Sequence, residues 1–210
     1  MKYYPVFLNL KDKKTAVIGG GRVAERKART LIRAGAAVKI ISPSLTHGLK
    51  MLSEKGKLAH IKRSYKKGDV KKAFLVIAAT SSPQTNTKVA RDAEFLINVI
   101  DKPSEGNFIA PSFVRSGPLT IAISTEGASP AISKAIRKEI EKLYCKEFAH
   151  YLKFVDLIRK TAIKKISDHK KRERFLKSLA SEEIFSAIRN KGFDAVSKKI
   201  SDALESEIQG

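Results

Sequence analysis

The chain has 210 residues and a formal net charge of +21 at pH 7, with a hydrophobic fraction of 42%. This length and composition are those of a globular protein with one or two domains and a substantial core. No apolar run approaches the roughly 20 residues of a membrane-spanning helix, and the N-terminus does not resemble a signal peptide. The single cysteine, Cys145, excludes an internal disulfide and any multi-cysteine metal site. We therefore expect a cytoplasmic protein in which Cys145 has a packing role.

Most of the positive charge lies in the first 144 residues, because residues 145–210 contain 15 Lys and Arg against 10 Asp and Glu. Such a surface favours either nucleic acid or a small, highly anionic substrate as a partner. The sequence has no helix-turn-helix signature, zinc knuckle or aromatic-rich RNA-binding strand, so nucleic acid is the less favoured partner. A solvated, lysine-rich surface would also explain much of the charge.

A glycine-rich turn near the N-terminus is the most informative motif. The apolar run Ala16-Val17-Ile18 leads into Gly19-Gly20-Gly21-Arg22-Val23-Ala24, which has the Gly-x-Gly-x-x-Ala spacing of a dinucleotide-binding turn. One glycine permits the sharp bend, another lets phosphates approach the backbone, and the following helix N-terminus offers free N–H groups to an anion. A purely structural turn can contain the same glycines. The amphipathic helix that follows and a second strand at 38–42 favour nucleotide binding.

Strands and helices continue to alternate along the next part of the chain. Segments 58–61, 74–80 and 95–100 are predicted as the third to fifth strands, and Pro83 begins a helix that extends to about Glu94. Segment 74–80 is almost continuously apolar, as expected for a parallel strand buried on both faces. We therefore predict an α/β domain with a parallel sheet of the Rossmann type.

The pattern changes after the fifth strand. Segments 106–111 and 119–124 are predicted as two antiparallel strands joined by a turn at 116–118. Ser129-Pro130 then begins a helix, because serine is a favoured N-cap and proline fits the first helical turn. Apolar residues form a stripe along this helix: Ile132, Ile136, Ile140 and Leu143.

The remaining chain is predicted to be helical, with breaks near 167–168, 179–181 and Gly192. Its phenylalanines are expected to form a core: Phe148, Phe154, Phe175, Phe185 and Phe193. The predicted organisation is a nucleotide-binding domain at 1–112, a central α+β dimerisation segment at 113–147 and a C-terminal all-helical domain at 148–210. The central segment cannot bury both of its faces alone, which favours a dimer contact.

Candidate chemical groups follow the strands whose carboxyl ends meet at one edge of the sheet. Besides the glycine turn, these are Thr80 after the fourth strand and Asp101 after the fifth. Asp101 is the best-placed titratable group, since its carboxylate could accept a proton while a hydride leaves to a cofactor, or bind a metal. The residue pattern alone equally allows Asp101 to cap the loop 101–104.

Several motifs within residues 3–145 resemble the precorrin-2 dehydrogenase family, which includes the N-terminal part of siroheme synthase and the bifunctional yeast dehydrogenase/ferrochelatase. These motifs are Gly-Gly-Gly-Arg-Val-Ala-Glu-Arg-Lys-Ala at 19–28, Gly-Ala-Ala-Val-Lys-Ile-Ile-Ser-Pro at 35–43, Asn-Val-Ile-Asp at 98–101, Phe-Ile-Ala-Pro-Ser at 108–112 and Ser-Thr-Glu-Gly-Ala-Ser-Pro-Ala at 124–131. The run after the glycines, at 23–27, makes the resemblance more specific than a bare glycine motif.

The resemblance implies NAD-dependent oxidation of precorrin-2 to sirohydrochlorin, a step toward siroheme and, in some organisms, cobalamin or other modified tetrapyrroles. It also implies a homodimer whose middle segments interlock. The family's essential aspartate corresponds to Asp101. Its nucleotide contacts correspond to Arg22, Val23, Pro43 and Ser44. The glycine turn and the ends of the second and fourth strands add further residues to these contacts. The predicted cofactor-binding residues are Gly19, Gly21, Arg22, Val23, Ser42, Pro43, Ser44 and Thr80.

The implied substrate is an anionic tetrapyrrole, which a basic and hydroxyl-rich surface would suit. The candidate substrate-binding residues are Arg115, Ser124, Thr125, Lys134 and Arg137.

Three alternatives stay open at this point. The second strand ends in Ser42-Pro43-Ser44 instead of an acidic residue, so the preference for NAD over NADP depends on the resemblance alone. Some family members also insert iron into sirohydrochlorin, with the same aspartate implicated, and the scattered histidines of this chain form no obvious metal site. A non-catalytic nucleotide-sensing module that acts on a partner or nucleic acid is the alternative to an enzyme.

Overall fold

The computed structural model describes residues 2–144 and 146–209, so the packing role expected for Cys145 lies outside the described residues. The chain divides into two compact units, Met1–Ala110 and Pro111–Gly210. The separation of residues 113–147 from residues 148–210 as a further domain stays a prediction.

The first unit is built on a parallel sheet. Its strands are β1 (Lys14–Ile18), β2 (Ala37–Ile41), β3 (Ala59–Ile61), β4 (Leu75–Ala78) and β5 (Leu96–Val99). They lie in the order β3-β2-β1-β4-β5, and every neighbouring pair is parallel. The strand order reverses between β1 and β4, and ligands of such sheets bind at the carboxyl ends of the strands beside this reversal. The predicted α/β fold class with a Rossmann-type sheet is confirmed.

Helices cover both faces of this sheet. They are α1 (Arg22–Arg33), α2 (His47–Glu54) and α3 (Pro83–Asp92), and a short 3-10 helix follows at Pro103–Glu105. Successive strand residues point to opposite faces, so Val17 packs with Ala24 and Ala28 of α1 while Ala16 and Ile18 pack with Val89 of α3. The small alanines let α1 lie close to the sheet. This packing fixes the N-terminus of α1 directly after the end of β1.

Two parts of the first unit differ from the sequence prediction. Helix α2 was not predicted, although Thr46 is a favourable N-cap whose hydroxyl accepts from the Leu49 backbone N–H at 3.3 Å. The predicted strand at 106–111 is wrong. Asn107 holds this segment against β5 instead, because its side-chain amide accepts from Ile97 N and donates to Phe95 O.

The second unit begins with an antiparallel hairpin of β6 (Ser112–Ser116) and β7 (Leu119–Ile123). The hairpin was expected, but its first strand begins after Pro111 and not at 106. Gly117 has a φ of +59° and precedes Pro118, whose ring holds φ negative, so the two-residue connection has the pattern of a type II′ turn.

Five helices complete the described part of the second unit. They are α4 (Pro130–Leu143), α5 (Lys146–Lys165), α6 (His169–Ser178), α7 (Glu182–Lys191) and α8 (Asp194–Gln209). The helices break where the sequence predicted, because Asp168 and Ser181 cap α6 and α7 and Gly192 ends α7 with a φ of +82°. The predicted phenylalanines do pack together, with Phe148 and Phe175 buried and the other three partly buried around them.

Helix α4 leaves three of the four residues of its apolar stripe exposed, and the fourth, Ile140, is half-buried. The exposed fractions of Ile132, Ile136 and Leu143 are 56%, 36% and 46%, whereas Ser133 is buried. Within the described residues, no helix is both long and apolar enough to cross a membrane.

Candidate functional site

The glycine turn is closed tightly on one side and open on the other. Gly19 has a φ of +120°, and a Cβ atom there would lie 2.3 Å from Ala79 O at the end of β4. A Cβ atom at Gly20 would lie 1.9 Å from Ser44 O, in the loop after β2. A Cβ atom at Gly21 would meet nothing within 4 Å. The first two glycines therefore allow close approach of the neighbouring backbone, while Gly21 leaves open space in front of α1.

The N-terminus of α1 has the properties of an anion site. Gly21 is its N-cap and supplies no side chain to accept from the first-turn N–H groups. These groups and the positive end of the helix dipole favour a phosphate at this position. Arg22 and Val23 are exposed beside it. The residues present therefore fit the pyrophosphate of a dinucleotide, with the space at Gly21 available for it.

The loop after β2 lies beside the glycine turn. Gly19 N donates to Ile41 O, and Thr46 N donates to Gly20 O, each at 3.0 Å. Ser42 is buried and Pro43 and Ser44 are exposed, so the predicted contacts of this loop lie next to the turn. No acidic residue occupies positions 42–44.

Hydrogen bonds of a carboxylate on α1 hold this loop against the helix. The Glu25 carboxylate accepts from the Thr46 hydroxyl at 2.5 Å and from Arg29 Nη2 at 2.7 Å. These bonds hold the pKa of Glu25 below its usual value, the Thr46 hydroxyl being the larger cause. A Cβ atom at Gly48 would lie 2.0 Å from Glu25 Oε1, so a side chain there would displace the end of the Glu25 side chain. The Glu25–Arg29 spacing is visible in the sequence, but the contact with Thr46 depends on the fold.

On the other side of the site, one side-chain amide links the residues that follow β4 and β5. Thr80 follows β4, and its backbone N–H and its hydroxyl lie 3.1 Å and 2.8 Å from Asn86 Oδ1. Asn86 Nδ2 donates to Asp101 Oδ1 at 2.8 Å. The Asp101 residue is exposed. The structure thus links Thr80 and Asp101, two of the residues predicted from the sequence, through one amide.

Asn86 was not predicted from the sequence. It lies in α3 and is 1% exposed. A signal was present, because Asn86 comes three and four residues before Val89 and Ala90, which were predicted to face inward, and therefore shares their face of the helix. A polar side chain on a buried face needs hydrogen-bond partners, and here they are the two candidate site residues.

The candidate substrate-binding residues all belong to the second unit. Ser124 and Thr125 lie in the loop between β7 and α4, where Ser124 Oγ accepts from Glu126 N and Thr125 Oγ1 accepts from Ser129 N. Arg115 is exposed on β6, and Lys134 is exposed on α4. Arg137 forms an ion pair with Glu141. The hydroxyls therefore stabilise a loop, while Arg115 and Lys134 present charge to solvent.

A cavity of about 510 Å³ lies at the opposite edge of the sheet, by the amino ends of β1 and β2, so it is separate from the predicted site. Lysines line much of it: Lys14, Lys39, Lys57, Lys71 and Lys72. Lys39 already donates to Asp69 O at 2.8 Å. Within residues 2–144 and 146–209, no three His, Cys, Asp or Glu side chains are grouped to hold a metal ion.

Comparisons with known proteins agree with this description. The family model described as "Putative NAD(P)-binding" matches residues 6–112, and the model "Sirohaem biosynthesis protein central" matches residues 116–143. The first match contains the whole parallel sheet and the glycine turn. The second contains the end of β6, the turn, β7 and α4.

Relatives are found among siroheme synthases. The chain is 33% identical over 213 residues to that of Nitrosococcus oceani, covering 100% of this chain and 45% of the relative. It is 31% identical over 193 residues to that of Chromobacterium violaceum, covering 90% of this chain and 41% of the relative. The chain thus spans less than half the length of these curated relatives.

A solved structure described as SirC, precorrin-2 dehydrogenase, has a TM-score of 0.83 and 24% sequence identity, covering 97% of this chain and 100% of that one. This likeness shows the fold. The family match covers more than half of the chain and includes the glycine turn with the open space at Gly21. The chain therefore belongs to the putative NAD(P)-binding family.

Proposed function

We propose that this chain is an NAD-dependent dehydrogenase that oxidises precorrin-2 to sirohydrochlorin in siroheme biosynthesis. The observation that carries the proposal is the Asp101 carboxylate, which is held by Asn86 at the carboxyl edge of the sheet and linked through it to Thr80. A nucleotide site and a carboxylate at the same sheet edge are what hydride transfer coupled to proton transfer requires. The names of the siroheme synthase relatives and of the SirC structure support the choice of substrate.

The cofactor would be held by the backbone of the glycine turn and by the loops after β2 and β4. In this proposal the N-terminus of α1 binds the pyrophosphate, and the open space at Gly21 accommodates it. NAD, when bound, supplies the acceptor for a hydride. The proposed contacts are Gly19, Gly21, Arg22, Val23, Ser42, Pro43, Ser44 and Thr80.

Asp101 would accept the proton that leaves the substrate. Oxidation of precorrin-2 removes two hydrogens, one as a hydride that goes to NAD⁺ and one as a proton that goes to the carboxylate. The bond from Asn86 Nδ2 to Asp101 Oδ1 holds the carboxylate, which in its ionised form can act as a base. Asp101 is exposed, so a substrate can approach it. Insertion of iron into sirohydrochlorin, in which Asp101 would be implicated, stays a prediction, as does the cytoplasmic location.

The proposed substrate is an anionic tetrapyrrole. Arg115 and Lys134 would attract its carboxylates. The other proposed substrate contacts are Arg137, Ser124 and Thr125. The proposed quaternary state is a homodimer. Its support is the exposed apolar stripe of α4, because uncovered apolar surface of this kind marks interaction sites. A second copy of the chain would cover Ile132, Ile136 and Leu143.

A Gly21→Asp substitution should remove nucleotide binding without harm to the fold. Aspartate is a favourable N-cap, and Gly21 has an extended φ of −83° with no atom near its Cβ position. Its carboxylate would repel the pyrophosphate. We expect the affinity for NAD⁺, measured by isothermal titration calorimetry, to fall by at least about 100-fold, or about 2.7 kcal/mol.

The comparison variant is Gly20→Ala, which tests the requirement of the fold for glycine at the neighbouring position. Its Cβ would clash with Ser44 O, so it should lower the free energy of unfolding by about 1–3 kcal/mol. Undiminished NAD⁺ binding by a folded Gly21→Asp protein would contradict the proposed cofactor site.

An Asp101→Ala substitution should abolish oxidation while NAD⁺ still binds. Loss of a general base lowers turnover by about 100-fold or more. The measurement is anaerobic turnover of enzymatically generated precorrin-2 with NAD⁺ and separately with NADP⁺, followed by the absorbance of sirohydrochlorin. A wild-type protein that binds nucleotide but oxidises nothing with either cofactor would instead favour a nucleotide-sensing module.

An Ile132→Glu substitution should convert a dimer into a monomer, because it places a charge in the apolar stripe of α4. Molar mass from size-exclusion chromatography with light scattering measures this. The matched variant Lys138→Glu changes an exposed residue on another face of the same helix and should remain dimeric. A wild-type monomer, or equal behaviour of the two variants, would refute the proposed interface.

A further inference from the structure

Asn86 is the buried polar residue at the centre of the candidate site. Its exposed fraction is 1%, although asparagine is usually a surface residue. It lies on α3, one turn after the N-cap Ser82, and comes between Thr80 and Asp101. Such a residue persists in a core only if its hydrogen bonds are satisfied, so its partners show what it holds in place.

The orientation of the Asn86 amide is fixed by its neighbours. The backbone N–H of Thr80 can only donate, so the amide atom 3.1 Å from it must be the oxygen. The amide nitrogen therefore faces Asp101 Oδ1 at 2.8 Å and Thr80 O at 3.2 Å. The Thr80 hydroxyl oxygen is also close to the amide, at 2.8 Å from Asn86 Oδ1. The amide oxygen and both amide hydrogens thus have partners, and rotation of the amide by 180° would place its nitrogen against the Thr80 N–H.

We propose that Asn86 is a positioning residue that fixes the Asp101 carboxylate relative to Thr80 and keeps its Oδ1 atom a hydrogen-bond acceptor. The inference rests on the proposed role of Asp101 as a base. An amide donor at this position restricts the rotation of the carboxylate through a hydrogen bond. The same amide bonds to Thr80, at the end of β4 that would contact the cofactor. Asp101 and Thr80 therefore keep a constant separation.

The charged groups next to Asp101 are paired with one another. Lys102 Nζ lies 3.1 Å from Glu105 Oε1, and Glu105 Oε2 accepts from the Thr87 hydroxyl at 2.7 Å. Lys102 and Thr87 hold the pKa of Glu105 below its usual value, with the Thr87 bond as the larger cause. The contact that the structure gives to the Asp101 carboxylate is the neutral amide of Asn86. Replacement of this amide by a carboxyl should therefore act on Asp101 directly.

A double-mutant cycle tests the contact without any measurement of turnover. In Asn86→Asp, a second carboxyl faces Asp101, so the pair resists full ionisation and one folded-state pKa rises above its unfolded value. The penalty should be small at acidic pH and grow as the pH rises. The melting temperature of this variant should therefore fall further below that of the wild type between about pH 5 and pH 8.

Addition of Asp101→Asn to Asn86→Asp should recover much of this loss, because the new amide can donate to the new carboxylate. The control Gln84→Glu makes the same chemical change at an exposed position of α3 and should show no such pH dependence. Equal destabilisation of Asn86→Asp at all pH values, with no recovery in the double variant, would overturn the inference.

Nuclear magnetic resonance of the wild type gives a test that does not depend on a variant with a buried carboxyl. The side-chain amide signals of Asn86 should shift as the carboxyl of Asp101 titrates, and this response should disappear in Asp101→Asn. An Asn86 amide that is insensitive to pH in the wild type would contradict the contact.

Kinetics then test the consequence for the reaction. In Asn86→Asp, kcat with precorrin-2 should fall by roughly tenfold or more at neutral pH, and the acidic limb of the pH–rate profile should move to higher pH. The KM for NAD⁺ should change much less. A purely structural defect would lower the rate by the same factor at every pH and would overturn the positioning role. Absence of turnover in the wild type would instead refute the proposed function, and the stability cycle would still report on the contact.

Discussion

The site depends on one steric constraint, which is the close approach of two backbone segments to the glycine turn. No side chain fits at Gly19 or Gly20, because the carbonyl oxygens of Ala79 and Ser44 occupy the positions where a Cβ would lie. The end of β4 and the loop after β2 are therefore both held against the end of β1. Gly21 alone faces open space, and α1 begins there with its N–H groups uncapped by a side chain. The turn is therefore tightly packed at Gly19 and Gly20 and leaves space for an anion at Gly21.

A second constraint is the satisfaction of buried polar groups, and it organises the reactive side of the site. Asn86 is buried, so its amide must find partners, and those partners are Thr80 and Asp101. On the opposite side, the Glu25 carboxylate of α1 accepts from the Thr46 hydroxyl and so holds the loop after β2 against that helix, and Arg29 of the same helix bonds to this carboxylate. Each strand end that would contact the cofactor is therefore tied to a helix by a side chain. This arrangement is the pre-organisation that hydride and proton transfer need, since both require fixed distances between the reacting groups.

The sequence was sufficient for the fold class, and the reason is the strength of its local patterns. The continuous apolar run of β4, the Gly-x-Gly-x-x-Ala turn and the capping residues Ser129 and Ser181 each act through residues close in sequence. The failures involve contacts between distant residues. The segment at 106–111 has a strand-like composition, but Asn107 bonds to β5 and holds it out of the hairpin. Asn86 and the bond between Glu25 and Thr46 were missed for the same reason, because their partners lie on other elements. The exposure of Ile132 and Ile136 likewise required the structure, since the pattern alone indicated an apolar face and not what covers it.

A crystal structure of the chain with NAD⁺ would show where the nucleotide binds. We predict that the pyrophosphate lies against the N-terminus of α1 in the space at Gly21, with the loop at 42–44 on one side and Thr80 on the other. The nicotinamide should then be directed toward Asp101. Binding of the nucleotide elsewhere, for example in the lysine-lined cavity at the amino ends of β1 and β2, would contradict the account.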